Sequence, residues 1–198
     1  MTAARSSRRT RRTKETDIQI RFTLDGTGTA SIHSGLPFLD HMLELFAVHG
    51  LFDLTLKAEG DIEVDQHHTV EDIGLVLGGA IDEALGDRKG LRRYASLELP
   101  MDECLVGVAL DLGGRPYFAH DLKPKTRIVG SFDSTLAPDF FTALTQGARC
   151  TLHVTQRRGG NTHHLLEATF KAFGRALDAA SLRDPRRRGV PSSKGRIG

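Results

Sequence analysis

The chain has 198 residues, of which 39% are hydrophobic and 26% are charged, as is typical of a soluble globular protein with a sizeable core. No apolar run approaches the ~18–20 residues that span a bilayer, and we expect no signal peptide, which argues against a membrane or secreted protein. The formal net charge is only +2, but the charges are segregated along the chain.

Basic residues concentrate at the two ends. Residues 1–14 hold six Lys or Arg and no acidic residue, and residues 183–198 hold six with one Asp, which leaves 15 basic and 24 acidic residues between them. Such segments are usually solvated and disordered, so we predict a disordered basic tail over 1–14 and a separate C-terminal tail over 183–198. RNA binding through the tails is an alternative, but no aromatic residue interleaves the first tail to stack on bases, and we expect no nucleic-acid partner.

The first half of the domain, about residues 15–90, predicts the order strand, strand, helix, strand, helix. "TDIQIRFTLDG", residues 16–26, alternates apolar and polar side chains as a half-buried strand does. "PFLDHMLELFAVHG", residues 37–50, has helical spacing between a starting proline and a closing glycine. A strand over 51–61 and an amphipathic helix over 67–86 follow.

The second half, about residues 91–182, repeats this order. Strands are predicted over 92–100, 103–114, 115–122 and 150–156, and helices over 138–148 and 163–181. The two cysteines, Cys104 and Cys150, fall in strand-like stretches and form no disulfide framework. We therefore expect buried thiols and a cytoplasmic location.

The two halves align with each other. Residues 41–56 match 139–154 and residues 67–84 match 163–180, so that Gly78 meets Gly174 and Asp82 meets Asp178. This predicts an α+β fold, an internally duplicated βα unit with helices on one face of each sheet, in a domain spanning 15–182.

The motif His-His-x-x-Glu occurs twice, at residues 67–71 and 163–167, in equivalent places of the two halves. Consecutive residues of a helix point about 100° apart, so adjacent histidines cannot easily bind one ion, whereas a glutamate three or four residues later shares a face with either. The pattern therefore favours two metals, with one histidine of each pair turned toward each.

Each motif supplies too few ligands to complete a site. His41 in the first helix and its repeat equivalent Asp139 are the candidates that add to them. The predicted ligand set is His41, His67, His68, Glu71, Asp139, His163, His164 and Glu167. Imidazole and carboxylate without thiolate argue for Mn, Fe, Co, Ni or Zn, and open positions favour an octahedral ion such as Mn(II) over closed structural zinc.

Several stretches together resemble one known family. "GLPFLDHMLELFAVHGLFDL", "HHTVEDIG", "DLGGRPY", "NTHHLLEATFKAFGRAL" and "VPSSKG" are similar to the imidazoleglycerol-phosphate dehydratases of histidine biosynthesis, over about residues 14–195. The resemblance implies a fold like ribosomal protein S5 domain 2, a shell of 24 subunits, and two Mn(II) per active site where subunits meet.

The resemblance also implies roles for further residues. Seven of the eight predicted ligands match the family's metal ligands, and the eighth, Asp139, stands at a position that is commonly His or Glu in similar proteins. Glu15 matches a substrate-contacting glutamate and is the candidate proton-transferring acid or base, a role that Glu71 or Glu167 could take only if partly released from the metal. The residues expected to hold the substrate, chiefly its phosphate, are Arg93, Arg115, Lys171, Ser192, Ser193 and Lys194, and His49 could reach the same region.

The implied reaction removes water from D-erythro-imidazoleglycerol phosphate and gives imidazoleacetol phosphate. The ligand types alone leave two alternatives open. One is another di-metal enzyme, such as a hydrolase of small phosphorylated compounds. The other is a non-enzymatic assembly protein whose ions join subunits.

Overall fold

The computed structural model describes residues 4–197. The first unit contains, in chain order, β1 (Ser6–Arg12), β2 (Thr16–Thr23), β3 (Ala30–His33), α1 (Pro37–Gly50), β4 (Asp53–Gly60) and α2 (His67–Leu85). The second contains β5 (Tyr94–Met101), β6 (Cys104–Asp111), β7 (Tyr117–His120), β8 (Ile128–Val129), β9 (Phe132–Asp133), α3 (Leu136–Ala148), β10 (Thr151–Arg158) and α4 (Thr162–Ser181).

The two main sheets have the same topology. Their strand orders are β1-β2-β4-β3 and β5-β6-β10-β7. In each sheet the short edge strand pairs in parallel with its neighbour, β3 with β4 and β7 with β10, whereas the other pairs are antiparallel. The predicted α+β duplication is confirmed.

Each sheet buries one face. In β2 the side chains of Ile18, Ile20 and Phe22 are buried while Gln19 and Arg21 are exposed, which is the alternation that its sequence predicts. The helices cover the buried faces and bring a run of phenylalanines into one continuous core. Phe46 of α1 stacks on Phe173 of α4 with ring centroids 5.4 Å apart, and Phe141 of α3 lies 4.9 Å from Phe170.

Two glycines at equivalent positions of the repeats set the helix packing. A Cβ on Gly78 of α2 would lie 2.2 Å from the carbonyl oxygen of Leu144 in α3, and one on Gly174 of α4 would lie 2.6 Å from that of Phe46 in α1. The helices of one unit therefore pack on those of the other at a backbone distance that only glycine permits.

The prediction of a disordered tail over residues 1–14 is wrong for the part that the structure describes. Ser6–Arg12 forms the edge strand β1, paired along its length with β2, and repeat one therefore starts before residue 15. The buried Ser7 hydroxyl donates to the Ala80 carbonyl at 2.7 Å, and Arg11 pairs with Asp72 at 2.8 Å. The basic side chains stabilise this strand because α2 presents acidic residues to them. Residues 1–3 lie outside the described part.

Both cysteines are buried and free, as predicted. Burial raises the pKa of the Cys150 thiol to about 12. In residues 4–197 no helix is long and apolar enough to cross a bilayer.

Candidate metal centre and basic pocket

The two His-His pairs lie at the starts of α2 and α4, where capping side chains fix the first turn. The Asn161 side chain accepts hydrogen bonds from the backbone N–H groups of His163 and His164, at 2.9 and 3.4 Å, and Asp65 accepts one from His67 at 2.9 Å. Such caps satisfy N–H groups that the helix leaves unpaired. They hold each pair of imidazoles at a defined place on the helix.

Within each pair the rings diverge. The His67 and His68 rings lie at 82° to each other with centroids 6.3 Å apart, and those of His163 and His164 lie at 81° and 6.1 Å. The expected splay of adjacent helical residues is confirmed, and the two rings of a pair face different surroundings.

His41, His163 and Glu167 form the first metal-type cluster, which we call cluster one. Their ligand atoms all lie within 4.8 Å of one another, and His163 Nε2 is 3.1 Å from Glu167 Oε2. His41 comes from α1 and the other two from α4. Two imidazoles and a carboxylate that converge in this way can bind a divalent cation of the borderline type.

The repeat equivalents of these three residues, His67 and Glu71 of α2 and Asp139 of α3, also lie near one another, and we call them cluster two. His67 Nδ1 lies 3.6 Å from Asp139 Oδ2, and its Nε2 lies 3.9 Å from Glu71 Oε2. These side chains are about half exposed, and the ring stands between the two carboxylates. Cluster two is thus more open and more acidic than cluster one.

His68 and His164 lie outside both clusters, each beside a carboxylate. His68 Nδ1 is 3.2 Å from Asp61 and 3.9 Å from Glu15, and His164 Nδ1 is 2.8 Å from Glu103. Hydrogen bonding to Asp61 and to Glu103 raises the pKa of the two imidazoles. A carboxylate beside Nδ1 favours a proton there and leaves Nε2 as the ligand atom.

The sequence did not identify Asp61 and Glu103 as carboxylates that pair with the site histidines. Glu103 lies in the turn between β5 and β6, and its structural counterpart is the turn between β1 and β2 that carries Glu15. The duplication was therefore the signal that could have found Glu103. Asp61 is separated from His68 by a loop, and the sequence does not show how that loop folds back.

Lys171 and His49 lie beside cluster one. Lys171 Nζ is 2.5 Å from Glu167 Oε1, as its spacing of four residues along α4 suggests. Burial, together with the nearby positive charges of Lys171 and Arg175, lowers the pKa of His49.

Five of the other predicted substrate-binding residues, Arg93, Arg115, Ser192, Ser193 and Lys194, line one concave surface, which we call the basic pocket; Glu15 lies beside His68 instead. The basic pocket has a volume of about 310 Å³. Its walls are Arg93, Tyr94, Gly113, Arg115, Ser192, Ser193, Lys194, Arg196 and Ile197. Guanidinium, ammonium and hydroxyl donors in one pocket suit a phosphate group.

The basic pocket and cluster one lie toward opposite ends of α4. The backbone N–H of Arg93 donates to the carbonyl of Ala180 near the end of the helix, at 2.9 Å, whereas His163 lies in its first turn. Seventeen residues of α-helix correspond to ~25 Å. A small substrate cannot bridge that distance within one chain.

Known proteins resemble this chain over almost all of its length. The family profile described as imidazoleglycerol-phosphate dehydratase matches residues 34–177. The imidazoleglycerol-phosphate dehydratase of Syntrophobacter fumaroxidans is 55% identical over 93% of this chain and 94% of its own, and that of Bacillus subtilis is 50% identical over 98% and 100%.

The chain belongs to the imidazoleglycerol-phosphate dehydratase family. It is an enzyme of the hydro-lyase class that acts in histidine biosynthesis, and the resemblance seen in the sequence is confirmed.

Solved structures of imidazoleglycerol-phosphate dehydratases share the fold. The enzyme from Staphylococcus aureus matches with a TM-score of 0.82 and 39% identity, over 90% of this chain and 99% of its own. The Pyrococcus furiosus enzyme, solved in complex with (S)-C348, matches with a TM-score of 0.83 and 35% identity, over 96% and 100%. The predicted fold class is therefore shared with these dehydratases.

Proposed function

We propose that this dehydratase removes water from D-erythro-imidazoleglycerol phosphate to give imidazoleacetol phosphate, with two Mn(II) ions in each active site. The observation that carries the metal part of the proposal is the convergence of His41, His163 and Glu167 within 4.8 Å. Family membership carries the reaction, and the arrangement of the remaining residues suits it.

The side chains present fit divalent cations. Cluster one offers two imidazole nitrogens and a carboxylate, and cluster two offers one imidazole and two carboxylates. No thiolate takes part, since both cysteines are buried elsewhere in the core. Nitrogen and oxygen donors with open positions suit Mn(II) better than copper(I) or closed tetrahedral zinc.

The active site is expected to form between subunits, in a shell of 24. Each cluster has three candidate ligands, while the second histidine of each pair, His68 or His164, points into separate surroundings. A neighbouring chain that presents this imidazole to a cluster would give each metal four protein ligands. It would also bring a basic pocket close to the metals, which the ~25 Å separation along α4 prevents within one chain.

The difficulty of the reaction lies in its carbon acid. The proton leaves a carbon that has no neighbouring carbonyl, and the hydroxyl leaves the carbon attached to the imidazole ring. A divalent metal held by the cluster residues would supply Lewis acidity to the bound substrate, which would make the N–H of its imidazole ring far more acidic.

The residues of the chain then handle protons and charge. Glu15, in the turn before β2 and 3.9 Å from His68, is placed to exchange protons with the substrate near the metals. Glu71 and Glu167 are ligands that could shuttle protons only when partly released. Arg115, Lys194, Ser192 and Ser193 hold the phosphate in the basic pocket, with Lys171 and His49 beside cluster one.

The substitution His164→Ala tests the shared site. It removes an imidazole that is outside both clusters of its own chain, so we expect turnover to be abolished and the metal content per subunit to fall, with the fold intact. His120→Ala, at the exposed end of β7, is the control and should leave both quantities unchanged. Normal metal content and turnover in His164→Ala would contradict the proposal.

A cytoplasmic location, expected from cysteines that form no disulfide framework, and the absence of nucleic-acid partners stay predictions.

A further inference from the structure

The guanidinium of Arg93 is largely committed inside the protein. Its Nε and Nη2 donate to the two carboxylate oxygens of Asp111 at 2.7 and 3.1 Å, and Nη1 donates to the carbonyl of Pro191 at 2.7 Å. The side chain is only 11% exposed. A bidentate pair of this kind fixes the plane of the guanidinium as well as its position, so three of its five donors cannot turn toward a ligand.

Pro191 begins the segment that closes the basic pocket. We call residues 191–197 the C-terminal segment. The chain before it is tied to the body by backbone hydrogen bonds, for example from Gly90 N to Gly189 O and from Arg92 N to Leu182 O. Beyond Gly189, the bond from Arg93 to Pro191 is the one hydrogen bond that joins the described part of the segment to the body. Ser192, Ser193 and Lys194, which line the pocket, follow immediately.

A glycine makes room for the ion pair. A Cβ on Gly113 would lie 2.6 Å from Asp111 Oδ2 and 2.8 Å from Arg93 Nη2. Carbon atoms do not approach oxygen and nitrogen so closely, so a side chain at this position would displace the pair. The backbone of Arg93 is itself held in the left-handed region, with φ of 74°, a conformation that a non-glycine residue keeps only where its surroundings enforce it.

The other repeat contains a twin of this arrangement, in which the carboxylate comes two residues later, since Asp25 stands at the position equivalent to Gly113. Arg5 also precedes the edge strand of its sheet, and its Nε and Nη2 donate to Asp25 at 2.9 and 2.6 Å while Nη1 donates to the carbonyl of Ser181 at 2.8 Å. Arg5 and Arg93 each accept, at their own carbonyl, a hydrogen bond from the residue after the neighbouring strand, Leu24 or Leu112. Arg5 lines no part of the basic pocket. In both repeats an arginine that is paired with an aspartate also donates a hydrogen bond to a distant backbone carbonyl. We call this arrangement the fork, and it forms without a phosphate.

We propose that Arg93 and Asp111 are positioning residues that anchor the C-terminal segment over the basic pocket, so that Ser192, Ser193 and Lys194 are held ready for the substrate's phosphate. This rests on the proposed function for the identity of the ligand, but the anchoring itself does not. Arg115, Lys194 and Arg196 then supply most of the free positive charge of the pocket, since none of the three forms an ion pair among the described residues.

Two variants break the anchor in different ways. Asp111→Asn removes the carboxylate, and Gly113→Ala displaces the ion pair while leaving both of its members in place. Asp25→Asn breaks the twin fork away from the pocket and is the matched control. All are studied as the full-length assembled protein, and their melting temperatures are compared with that of the wild type to establish that each is folded.

The direct measurement is hydrogen–deuterium exchange of the amides of residues 192–197, with and without inorganic phosphate. We expect exchange to be faster by on the order of tenfold in Asp111→Asn and Gly113→Ala, and unchanged in Asp25→Asn. In the dehydration assay, KM should rise about tenfold in the two anchor variants while kcat stays within about twofold, because binding rather than chemistry is impaired.

Unchanged exchange in both anchor variants would overturn the proposal, as would an equal rise of KM in Asp25→Asn. If the wild-type protein lacks the dehydratase activity, the proposed function fails, but the exchange rates and the affinity for inorganic phosphate still decide whether the anchor exists.

Discussion

At the scale of single residues, Asp139 is the position where the two metal clusters differ most. Its counterpart in cluster one is His41, so cluster one has a single carboxylate whereas cluster two has two. Glu167 is in addition neutralised by Lys171 at 2.5 Å, and the residue equivalent to Lys171 in the other repeat is Leu75. Cluster two therefore presents more negative charge to a cation, although its ligands are more exposed.

Replacing Asp139 tests whether it is a ligand. Asp139→Ala should lower bound metal from two to about one ion per subunit, because His67, Glu71 and the neighbouring chain's imidazole would then be too few ligands to hold a hard cation tightly. Metal content after dialysis, measured by mass spectrometry on the intact assembly, reports this. Asp133→Ala removes a carboxylate that pairs with Arg127 outside both clusters and should retain full metal content. Full occupancy in Asp139→Ala would show that Asp139 does not bind the metal.

The sequence predicted individual site residues where spacing along one helix was sufficient. The interval between His163 and Glu167 placed both on one face of α4, and the divergence of His67 and His68 followed from 100° per residue. The sequence could not predict that the Arg93 guanidinium is held by Asp111 and by the carbonyl of Pro191. The contact with Pro191 joins positions that are 98 residues apart. Contacts of that range depend on how the C-terminal segment folds back.

At the scale of elements, the largest error was the prediction of a disordered tail where the structure has β1. The largest success was the prediction of the duplication. Its four arginines and lack of apolar residues made Ser6–Arg12 look like a solvated tail. A strand at the edge of a sheet nevertheless needs few apolar residues when its side chains pair with charges on a neighbouring helix. Arg9 and Arg11 face Glu83 and Asp72 of α2. The counterpart of β1 in the second repeat, β5, has more apolar side chains and was predicted at once, so aligning the repeats outward from their shared core would have revealed β1.

Deleting residues 1–13 should therefore destabilise the protein. The deletion removes every pairing of β1 with β2 and the hydrogen bond from Ser7 to the Ala80 carbonyl, which alone contributes about 0.5–1.5 kcal/mol. We expect a fall in melting temperature of about 10 °C or more. A deletion of residues 1–3 is the control and should melt within about 2 °C of the wild type. Equal melting temperatures for the two deletions would contradict a stabilising role of β1 and support the prediction of a disordered tail.

At the scale of the whole molecule, one chain contains both parts of an active site but not in contact. Cluster one lies at the start of α4 and the basic pocket near its end, and His68 and His164 turn away from the clusters of their own chain. The sequence predicted that the histidines of a pair diverge and that neighbouring chains complete the site. In the proposed assembly, the rigidity of α4, which holds cluster one and the basic pocket apart, is the physical reason that one chain cannot complete the site.

Metal should then stabilise the assembly as well as the chemistry, because ligands from different chains are joined by one ion. Removing the metal would leave the three side chains of each cluster without the cation that holds them together. It would also leave the neighbouring chain's imidazole without a partner.

The most direct test of this account is native mass spectrometry of the purified protein before and after complete chelation, with the dehydration of imidazoleglycerol phosphate assayed on the same samples. We expect two ions per subunit in a 24-subunit species, loss of turnover and partial or full dissociation on chelation, and recovery of both mass and activity when Mn(II) is returned. Full dehydratase activity in protein from which all metal has been removed would contradict the central claim.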